Sequence, residues 1–382
     1  MNTFCSFFNL GTCRSCDLIS LGYPQQLEWK QQQLTESLKH FSPPPLLPPV
    51  SSNLVSFRNK AKLVVTGTLS APVIGLLGEE NLDTGRELLS CPLHFSEMNS
   101  LLLSLKTFIT DARLEPYRIS ERTGELKGLI VFYSQRSREL YLRFVLRSRE
   151  SLDRIKKHSP SLLRDHPGLL CVSANIQPVA HAILEGEEEI ILSEKSFIDH
   201  DLGTVRYHLG PRGFVQTNQS VSELLYQTAA DWMKELGRVR LVELFSGQGA
   251  FSFFAAPFIE EGLGVEINPA AVKQAEASAR ALGLPQLRFQ CADAKDVSAV
   301  VREFGPELIL VNPPRKGLGE AVEILLGQAP TYLIYSSCNH QTLSRDLAKL
   351  QTEYLILRVQ LFDMFPHTRH FETLVLLQKR SL

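Results

Sequence analysis

Residues 242–249 are Val-Glu-Leu-Phe-Ser-Gly-Gln-Gly, a short apolar strand that runs into a glycine loop. Two later apolar runs end in a similarly abrupt way. Residues 308–311 are followed by Asn312-Pro313-Pro314-Arg315, and residues 331–335 are followed by Ser336-Ser337-Cys338-Asn339. Ligands of open α/β sheets bind at the carboxyl ends of the strands. The three strand ends therefore predict an α/β fold with a ligand site that includes a thiol.

Length, charge and apolar content restrict the class of protein. The chain has 382 residues, enough for two or three domains, and a net charge of −1, so RNA would have to bind a local basic surface. No apolar run is long enough to span a membrane, and the N-terminus lacks the features of a signal peptide. We therefore expect a cytoplasmic protein whose seven cysteines are thiols, metal ligands or catalysts.

The pattern along the chain predicts three segments. Residues 1–50 carry cysteines, a helix over residues 23–40 and a stiff proline-rich spacer over residues 42–49. Residues 51–204 alternate β and helical signals, which predicts a central α+β domain. Its predicted strands are 62–68, 128–133, 139–146 and 180–192.

Residues 205–382 show the most regular pattern of the chain. Strands alternate with helices, which is typical of a doubly wound, Rossmann-like parallel sheet. The runs 357–362 and 372–378 look like an antiparallel pair that closes this sheet.

The glycine loop indicates which cofactor the sheet binds. Its two glycines lack the third that a dinucleotide site requires, so S-adenosylmethionine fits better than NAD. Glu266 ends the next strand, where a carboxylate can accept both ribose hydroxyls, although NAD sites also use such a residue. Asp293 follows the third strand and is placed to meet the adenine edge.

The turn that carries Cys338 suits covalent chemistry better than a buried structural cysteine. Addition of a thiolate to carbon 6 of uracil makes carbon 5 nucleophilic towards a methyl sulfonium. A base must then remove the carbon-5 proton so that the thiol can leave. Glu372, at the start of the last strand, is a candidate base, and a solvated carboxylate is the open alternative.

Together these motifs resemble the bacterial RNA uracil-5-methyltransferases, most of all the shorter members that act on 23S ribosomal RNA and lack an N-terminal β-barrel RNA-binding module. The resemblance covers essentially the whole chain, including residues 57–62 and 214–218. It implies 5-methyluridine formation at uracil 747, with Cys338 as the nucleophile and Glu372 as the base. It also implies four contacts with S-adenosylmethionine: Gln216, Phe245, Glu266 and Asn312.

Two positions depart from this family pattern. Many relatives have aspartate where this chain has Asn312, which implies an uncharged cofactor contact here. Many have asparagine at the position of Ala250, so that contact is missing.

The N-terminal cysteines predict a metal site. Cys5, Cys13 and Cys16 lie in one segment, and Cys91 returns from the next domain. Four thiolates suit an iron–sulfur cluster or zinc, and the spacing does not choose between them. The resemblance implies a [4Fe-4S] cluster that pins the N-terminal segment to the central domain.

The expected partner is 23S ribosomal RNA, bound by a monomer without a protein partner or a membrane. Alternation along residues 141–147 places Arg143 and Arg147 on one strand face, either to follow phosphates or as a solvated surface. The target uracil has to leave its stack to reach Cys338.

Three alternative functions compete with this interpretation; the first stays open, while Arg315, Cys338 and Glu372 argue against the other two. The substrate of the same chemistry could be transfer RNA. Amino-group methylation is typical of Asn-Pro-Pro-Tyr enzymes, which stack the base on the aromatic residue where this chain has Arg315. The third alternative is a non-catalytic iron–sulfur protein that binds RNA during ribosome assembly.

Overall fold

The structure is a computed structural model that describes residues 3–78, 83–180 and 185–381. The chain divides into two units. Unit 1 consists of the N-terminal segment up to Cys16, Asn53–Asp201 and Leu209–Arg212. Unit 2 consists of Asp17–Ser52, Leu202–His208 and the chain from Gly213 onward.

The helices and strands are numbered here in chain order. The helices are α1 (Ser6–Asn9), α2 (Tyr23–Leu38), α3 (Ser96–Asp111), α4 (Leu152–Asp165), α5 (Gln219–Leu236), α6 (Ala250–Ala255), α7 (Pro269–Ala281), α8 (Ser298–Phe304), α9 (Ala321–Gln328) and α10 (His340–Leu350). The strands are β1 (Leu47–Val50), β2 (Lys60–Thr68), β3 (Ala71–Leu77), β4 (Gly85–Glu87), β5 (Leu126–Ser134), β6 (Glu139–Leu146), β7 (Leu169–Ile176), β8 (Glu188–Ile191), β9 (Ile198–Asp201), β10 (Arg206–Leu209), β11 (Val239–Leu244), β12 (Ile259–Glu266), β13 (Leu287–Cys291), β14 (Leu308–Val311), β15 (Tyr332–Ser337), β16 (Tyr354–Phe362) and β17 (Glu372–Lys379).

Unit 2 is built on an eight-stranded sheet with the strand order β1-β16-β17-β15-β14-β11-β12-β13. The strands from β11 to β15 are parallel to their neighbours, and β17 is antiparallel to both β15 and β16. The predicted doubly wound sheet and its antiparallel closing pair are confirmed.

The apolar pattern explains why these segments form a three-layer unit. Every residue of β14 is buried, because helices cover both faces of a parallel sheet. Helix α5 presents a stripe at four-residue spacing to the core: Val221, Leu225, Ala229 and Met233. The side chain of Asn218 caps its first turn by accepting a hydrogen bond from the amide of Val221.

The proline-rich stretch does not remain a spacer to its end. Residues Leu47–Val50 form β1, which pairs in parallel with β16 at the edge of the sheet. Proline has no N–H to donate to a neighbouring strand, so it is tolerated in an edge strand, which has a neighbour on one side only. The spacer predicted for residues 42–49 is therefore wrong over its last residues.

Unit 1 contains a seven-stranded sheet with the order β4-β3-β2-β5-β6-β7-β8. Its pairs are antiparallel except for β6 with β7, and helices α3 and α4 contribute to the core on one face. Part of the strand predicted over residues 180–192 falls on residues 181–184, which lie outside the described residues; β8 spans Glu188–Ile191.

The predicted basic face of β6 is wrong for Arg143. Its side chain is only 1% exposed, and its guanidinium pairs with Glu189 at 2.7 Å and with Glu185 at 3.3 Å. Arg147 is likewise paired, with Glu125 at 2.6 Å. These ion pairs lie within unit 1, and the burial of Arg143 removes it from any phosphate-binding surface. Across the described ranges, no helix combines the length and the apolar content needed to cross a membrane.

Candidate active site

Three strands of the unit 2 sheet end next to one another on its carboxyl-terminal side. Leu244 pairs with Val311, and Val311 pairs with Tyr335, so β11, β14 and β15 end side by side. This register brings together the glycine loop (residues 245–249), the Asn-Pro-Pro-Arg turn (residues 312–315) and the thiol loop (residues 336–339). The juxtaposition predicted from the sequence is confirmed.

Strand β17 brings Glu372 to the thiol loop. Ser337 pairs with Thr373 across β15 and β17, so the antiparallel register continues to Cys338 and Glu372. The pKa of the Cys338 thiol is raised to about 11, first by burial and then by the charge of Glu372, while the Arg315 guanidinium lowers it.

Glu372 is a buried carboxyl group with one unpaired oxygen. Its side chain is 2% exposed, and Oε1 accepts a hydrogen bond from Nε2 of Gln216 at 3.4 Å. Oε2 is buried without a partner among the described residues. Burial raises the pKa of Glu372 to about 8. The solvated-carboxylate alternative is wrong, and a proton affinity near neutrality is what a general base requires.

Hydrogen bonds to one carbonyl fix the thiol loop against the Asn-Pro-Pro-Arg turn. The carbonyl of Arg315 accepts from Nδ2 of Asn339 and from Oγ1 of Thr342, each at 3.2 Å. Asn339 also caps α10 through its Oδ1. The position of Cys338 is therefore set by α10 and by the adjacent turn together.

Asp346 stabilises the same region through hydrogen bonds to two other segments. Its buried Oδ2 accepts from the hydroxyl of Tyr335 and from the amide of Leu318, each at 2.8 Å. One carboxylate thus joins β15, α10 and the segment after the Asn-Pro-Pro-Arg turn. Nothing in the local sequence around Asp346 signals this role, because its partners come from two distant segments.

The glycine loop contacts Glu266 directly. Oε2 of Glu266 accepts from the amide of Gly247 at 2.9 Å, and Oε1 accepts from the amide of Asn268 at 2.8 Å. A carboxylate has about four acceptor positions, so two remain for a ligand. A Cβ added to Gly247 would meet nothing within 4 Å, which leaves open space above the loop.

The remaining predicted cofactor residues lie at the same strand edge. Phe245 opens the glycine loop with φ +61°, a conformation uncommon for a residue with a side chain and often found at functional sites. Asn312 is half-buried after β14. Asp293, beyond β13, accepts a hydrogen bond from the amide of Lys295. Gln216 contacts Glu372, so its contact with a cofactor stays a prediction.

A cavity of about 290 Å³ lies beside the thiol, and no sequence motif predicts it. Trp29 of α2 and Arg369 form part of its wall, together with Cys338. The guanidinium carbon of Arg369 lies 5.8 Å from the centroid of the Trp29 ring. Residues far apart in sequence build this wall, which is why spacing within the chain does not reveal it.

The predicted metal ligands all belong to unit 1. Cys5 is buried, and the other three cysteines are half-buried. Burial raises the pKa of Cys16 to about 12, with further contributions from Cys91, Cys13 and Cys5. The four thiols are thus electrostatic neighbours, although no group of three metal-binding side chains within the described part of the chain is arranged to hold an ion.

Comparison with known proteins identifies relatives over the full length. Residues 186–380 match the tRNA (uracil-5-)-methyltransferase family. The 23S rRNA (uracil(747)-C(5))-methyltransferase RlmC of Proteus mirabilis is 44% identical over 374 residues, which is 98% of each chain. The RlmC of Shewanella amazonensis is 43% identical and covers 99% of this chain and 98% of its own.

A solved structure shares the fold. The tRNA (uracil-54, C5)-methyltransferase of Pyrococcus abyssi, in complex with S-adenosyl-L-homocysteine, superposes with a TM-score of 0.78. The match covers 95% of this chain and 85% of the other, at 24% identity.

Proposed function

This chain belongs to the tRNA (uracil-5-)-methyltransferase family, and we propose that it methylates carbon 5 of uracil 747 in 23S ribosomal RNA with S-adenosylmethionine as the donor. One observation carries the proposal: a thiol and a buried, raised-pKa carboxyl group face each other at the strand edge that holds the glycine loop. The RlmC relatives, similar along almost their entire length, support the RNA and the position.

Cys338 supplies the nucleophile. Its thiolate adds to carbon 6 of the uracil ring, which places an enolate across carbon 5 and the neighbouring carbonyl. Arg315 favours the thiolate, since its positive charge lowers the pKa of Cys338. The same charge is suitably placed to counter the negative charge that passes from sulfur into the ring.

Glu372 completes the reaction after carbon 5 carries its new methyl group. Its unpaired Oε2 takes the carbon-5 proton, and the electrons of that C–H bond expel the Cys338 thiolate from carbon 6. The hydrogen bond from Gln216 occupies Oε1 and so leaves Oε2 directed to this task.

Residues of the strand edge are suited to hold the donor. S-Adenosylmethionine supplies an electrophilic methyl group when bound. We assign the free acceptor positions of Glu266 to the ribose hydroxyls of the cofactor. The open space above Gly247 allows the cofactor to approach the backbone closely. Contacts from Phe245, Asn312 and Asp293 belong to the same proposal.

Two variants and a trapped substrate test the assigned roles. With RNA that carries 5-fluorouridine at the target, the unmodified protein should form a covalent complex that survives denaturing electrophoresis, because fluorine cannot leave as a proton does. Cys338→Ala should form none. Glu372→Gln should accumulate the same complex on unmodified RNA. Cys291→Ser, which changes another accessible thiol, is the matched control and should behave as the unmodified protein.

The assignment is wrong if Cys338→Ala retains turnover or if Glu372→Gln releases methylated product at the normal rate. Transfer RNA serves as a competing substrate in the same assay, and faster modification of transfer RNA would move the proposal to that substrate. Absence of any adduct with both RNAs would favour a non-catalytic RNA-binding role. A cytoplasmic monomer without a protein partner stays a prediction.

We also propose that Cys5, Cys13, Cys16 and Cys91 ligate a [4Fe-4S] cluster. Burial first, and then the charges of Cys91, Cys13 and Cys5, raise the pKa of Cys16, and a bound cationic centre would favour its thiolate. Anaerobically purified protein should be brown with about four irons, and Cys16→Ser should bleach it. Colourless protein with stoichiometric zinc would overturn the iron assignment but keep the site.

A further inference from the structure

Part of the wall of the cavity beside Cys338, including Trp29 and Gln33, belongs to neither group that acts on the uracil. A ring under attack has to touch both Cys338 and Glu372. The walls of the 290 Å³ cavity include Cys338 but not Glu372, nor any residue of the glycine loop. The cavity therefore reaches from the nucleophile to Trp29 and Gln33, beyond the place where the target base has to lie. Its volume is just below the ~300–1,000 Å³ typical of small-molecule sites.

We propose that this cavity binds the nucleotide adjacent to the target uridine in the RNA strand, with Trp29 as the stacking surface for its base. The inference rests on the proposed function, because it takes the reacting base to be a uracil held against Cys338. A neighbour bound here would help to keep the target base out of its own stack.

Aromatic surfaces form two parts of the wall. The half-buried indole of Trp29 comes from α2, and the imidazole of His340 stacks on Phe371 with a centroid distance of 5.4 Å and an interplanar angle of 11°. Nδ1 of His340 lies 2.6 Å from the hydroxyl of Ser37, which fixes the ring. Unstacked RNA bases bind to such platforms, since every base has a π face.

Two arginines supply the charge that a nucleotide requires. Arg315 contacts Nδ1 of His370 at 3.3 Å and, within the described residues, pairs with no carboxylate. Arg369 pairs with Asp17 at 2.9 Å on the surface, an arrangement that a phosphate can replace with little loss. Aromatic faces with adjacent guanidinium groups match a nucleotide better than an apolar ligand.

The platform is held rigidly. Trp29, Gln33 and Ser37 follow one another at four-residue spacing and so lie on one face of α2. Next to Trp29, the fully buried Lys30 pairs with Asp363 at 2.5 Å and donates to the carbonyl of Phe365 at 3.0 Å. The helix that carries the indole is therefore held in place before RNA arrives, which reduces the entropic cost of binding.

An abasic-site cycle tests the stacking contact. RNA affinity is measured by fluorescence anisotropy with S-adenosyl-L-homocysteine, so that no turnover occurs, on intact RNA and on RNAs abasic at the 5′ or the 3′ neighbour. The unmodified protein should lose roughly 5- to 100-fold in affinity for one of the abasic RNAs. Trp29→Ala should lose as much on intact RNA and no more on that abasic RNA.

Two controls complete the design. Trp29→Phe should recover most of the affinity, because it keeps a π face. Thr35→Ala changes an exposed side chain of the same helix outside the cavity and should bind normally. Unaltered affinity of Trp29→Ala, or equal further losses on both abasic RNAs, would overturn the stacking proposal.

The covalent trap separates this inference from the proposed function. Trp29→Ala at saturating 5-fluorouridine RNA should still form the adduct, since Cys338 is untouched. An adduct together with no coupling between Trp29 and either neighbouring base refutes the neighbour site alone. Failure of the unmodified protein to form the adduct overturns both.

Discussion

Replacing Glu372 with glutamine should stabilise the protein at neutral and alkaline pH while it stops the reaction. Burial raises the pKa of this carboxyl group from 4.5 to about 8 in the folded protein. The folded state therefore keeps a proton that the unfolded chain releases above about pH 4.5. The resulting stability is fully present below that pH and is lost as the pH rises towards 8. Glutamine carries no charge and should escape this loss.

The structure sets the size of the effect. Each tenfold change in proton affinity corresponds to about 1.4 kcal/mol, so a pKa of about 8 instead of 4.5 corresponds to about 5 kcal/mol at most. Local relaxation around the carboxylate and entry of water reduce this figure. We expect Glu372→Gln to raise the free energy of unfolding by ~2–5 kcal/mol at about pH 9 and by little at about pH 4. The introduced amide oxygen can keep the hydrogen bond from Gln216.

Urea unfolding followed by circular dichroism, over a pH series from about 4 to about 9, measures the difference. The comparison of the two proteins at about pH 4 is an internal control, since both side chains are then neutral. A difference that does not grow with pH would refute the reasoning, as would a variant less stable than the unmodified protein at alkaline pH. A gain in stability combined with a loss of activity would show that Glu372 lowers the free energy of unfolding while it serves the reaction.

Three further changes have defined outcomes. Arg315→Gln should raise the pKa of Cys338, because a positive charge that lowers it is removed, so alkylation by iodoacetamide in the absence of RNA should need a higher pH. Lys30→Met should destabilise the protein by ~3–5 kcal/mol in thermal unfolding, since Asp363 is left as a buried charge. Glu266→Ala should weaken S-adenosylmethionine binding by roughly 1–3 kcal/mol in calorimetry, because ribose hydroxyls lose their acceptor.

Each of these predictions has its own check. Arg369→Gln alters the other arginine of the same cavity and should leave the alkylation profile unchanged; a matching shift would mean that general surface charge and not Arg315 acts on the thiol. Normal thermal stability of Lys30→Met would mean that the pair contributes nothing to unit 2. Calorimetry with unchanged affinity for Glu266→Ala would place the ribose contact elsewhere.

The carboxyl ends of the strands can be predicted well from the sequence, because the signals that mark a strand end are local. Apolar runs that end in a glycine loop, a proline turn and a thiol report strand ends regardless of distant contacts. The burial of Glu372 is not local. It arises because β17 inserts between β15 and β16, so the residue that begins the strand lies inside the sheet.

Arg143 and Trp29 show the same limit in two ways. Alternation along β6 placed Arg143 on one face, yet its acid partners, Glu185 and Glu189, come from a later segment that no spacing rule connects to it. Trp29 lies on a helix whose face meets the thiol loop only through tertiary packing. The alternation of residues in the sequence predicts which face of an element a side chain lies on, but its contacts depend on the tertiary structure.

The pairing of Lys30 with Asp363 has a consequence for the biosynthesis of the protein. The two residues are 333 positions apart, and β1 pairs with β16 over a similar span. At ~5–20 residues per second, Lys30 is synthesised roughly 15–70 s before Asp363. During that interval Lys30 has no partner to bury it, while the rest of unit 1 is synthesised. Unit 2 can therefore form this ion pair and add β1 to its sheet only near the end of translation. A chain that stops before residue 363 lacks the carboxylate that pairs with Lys30.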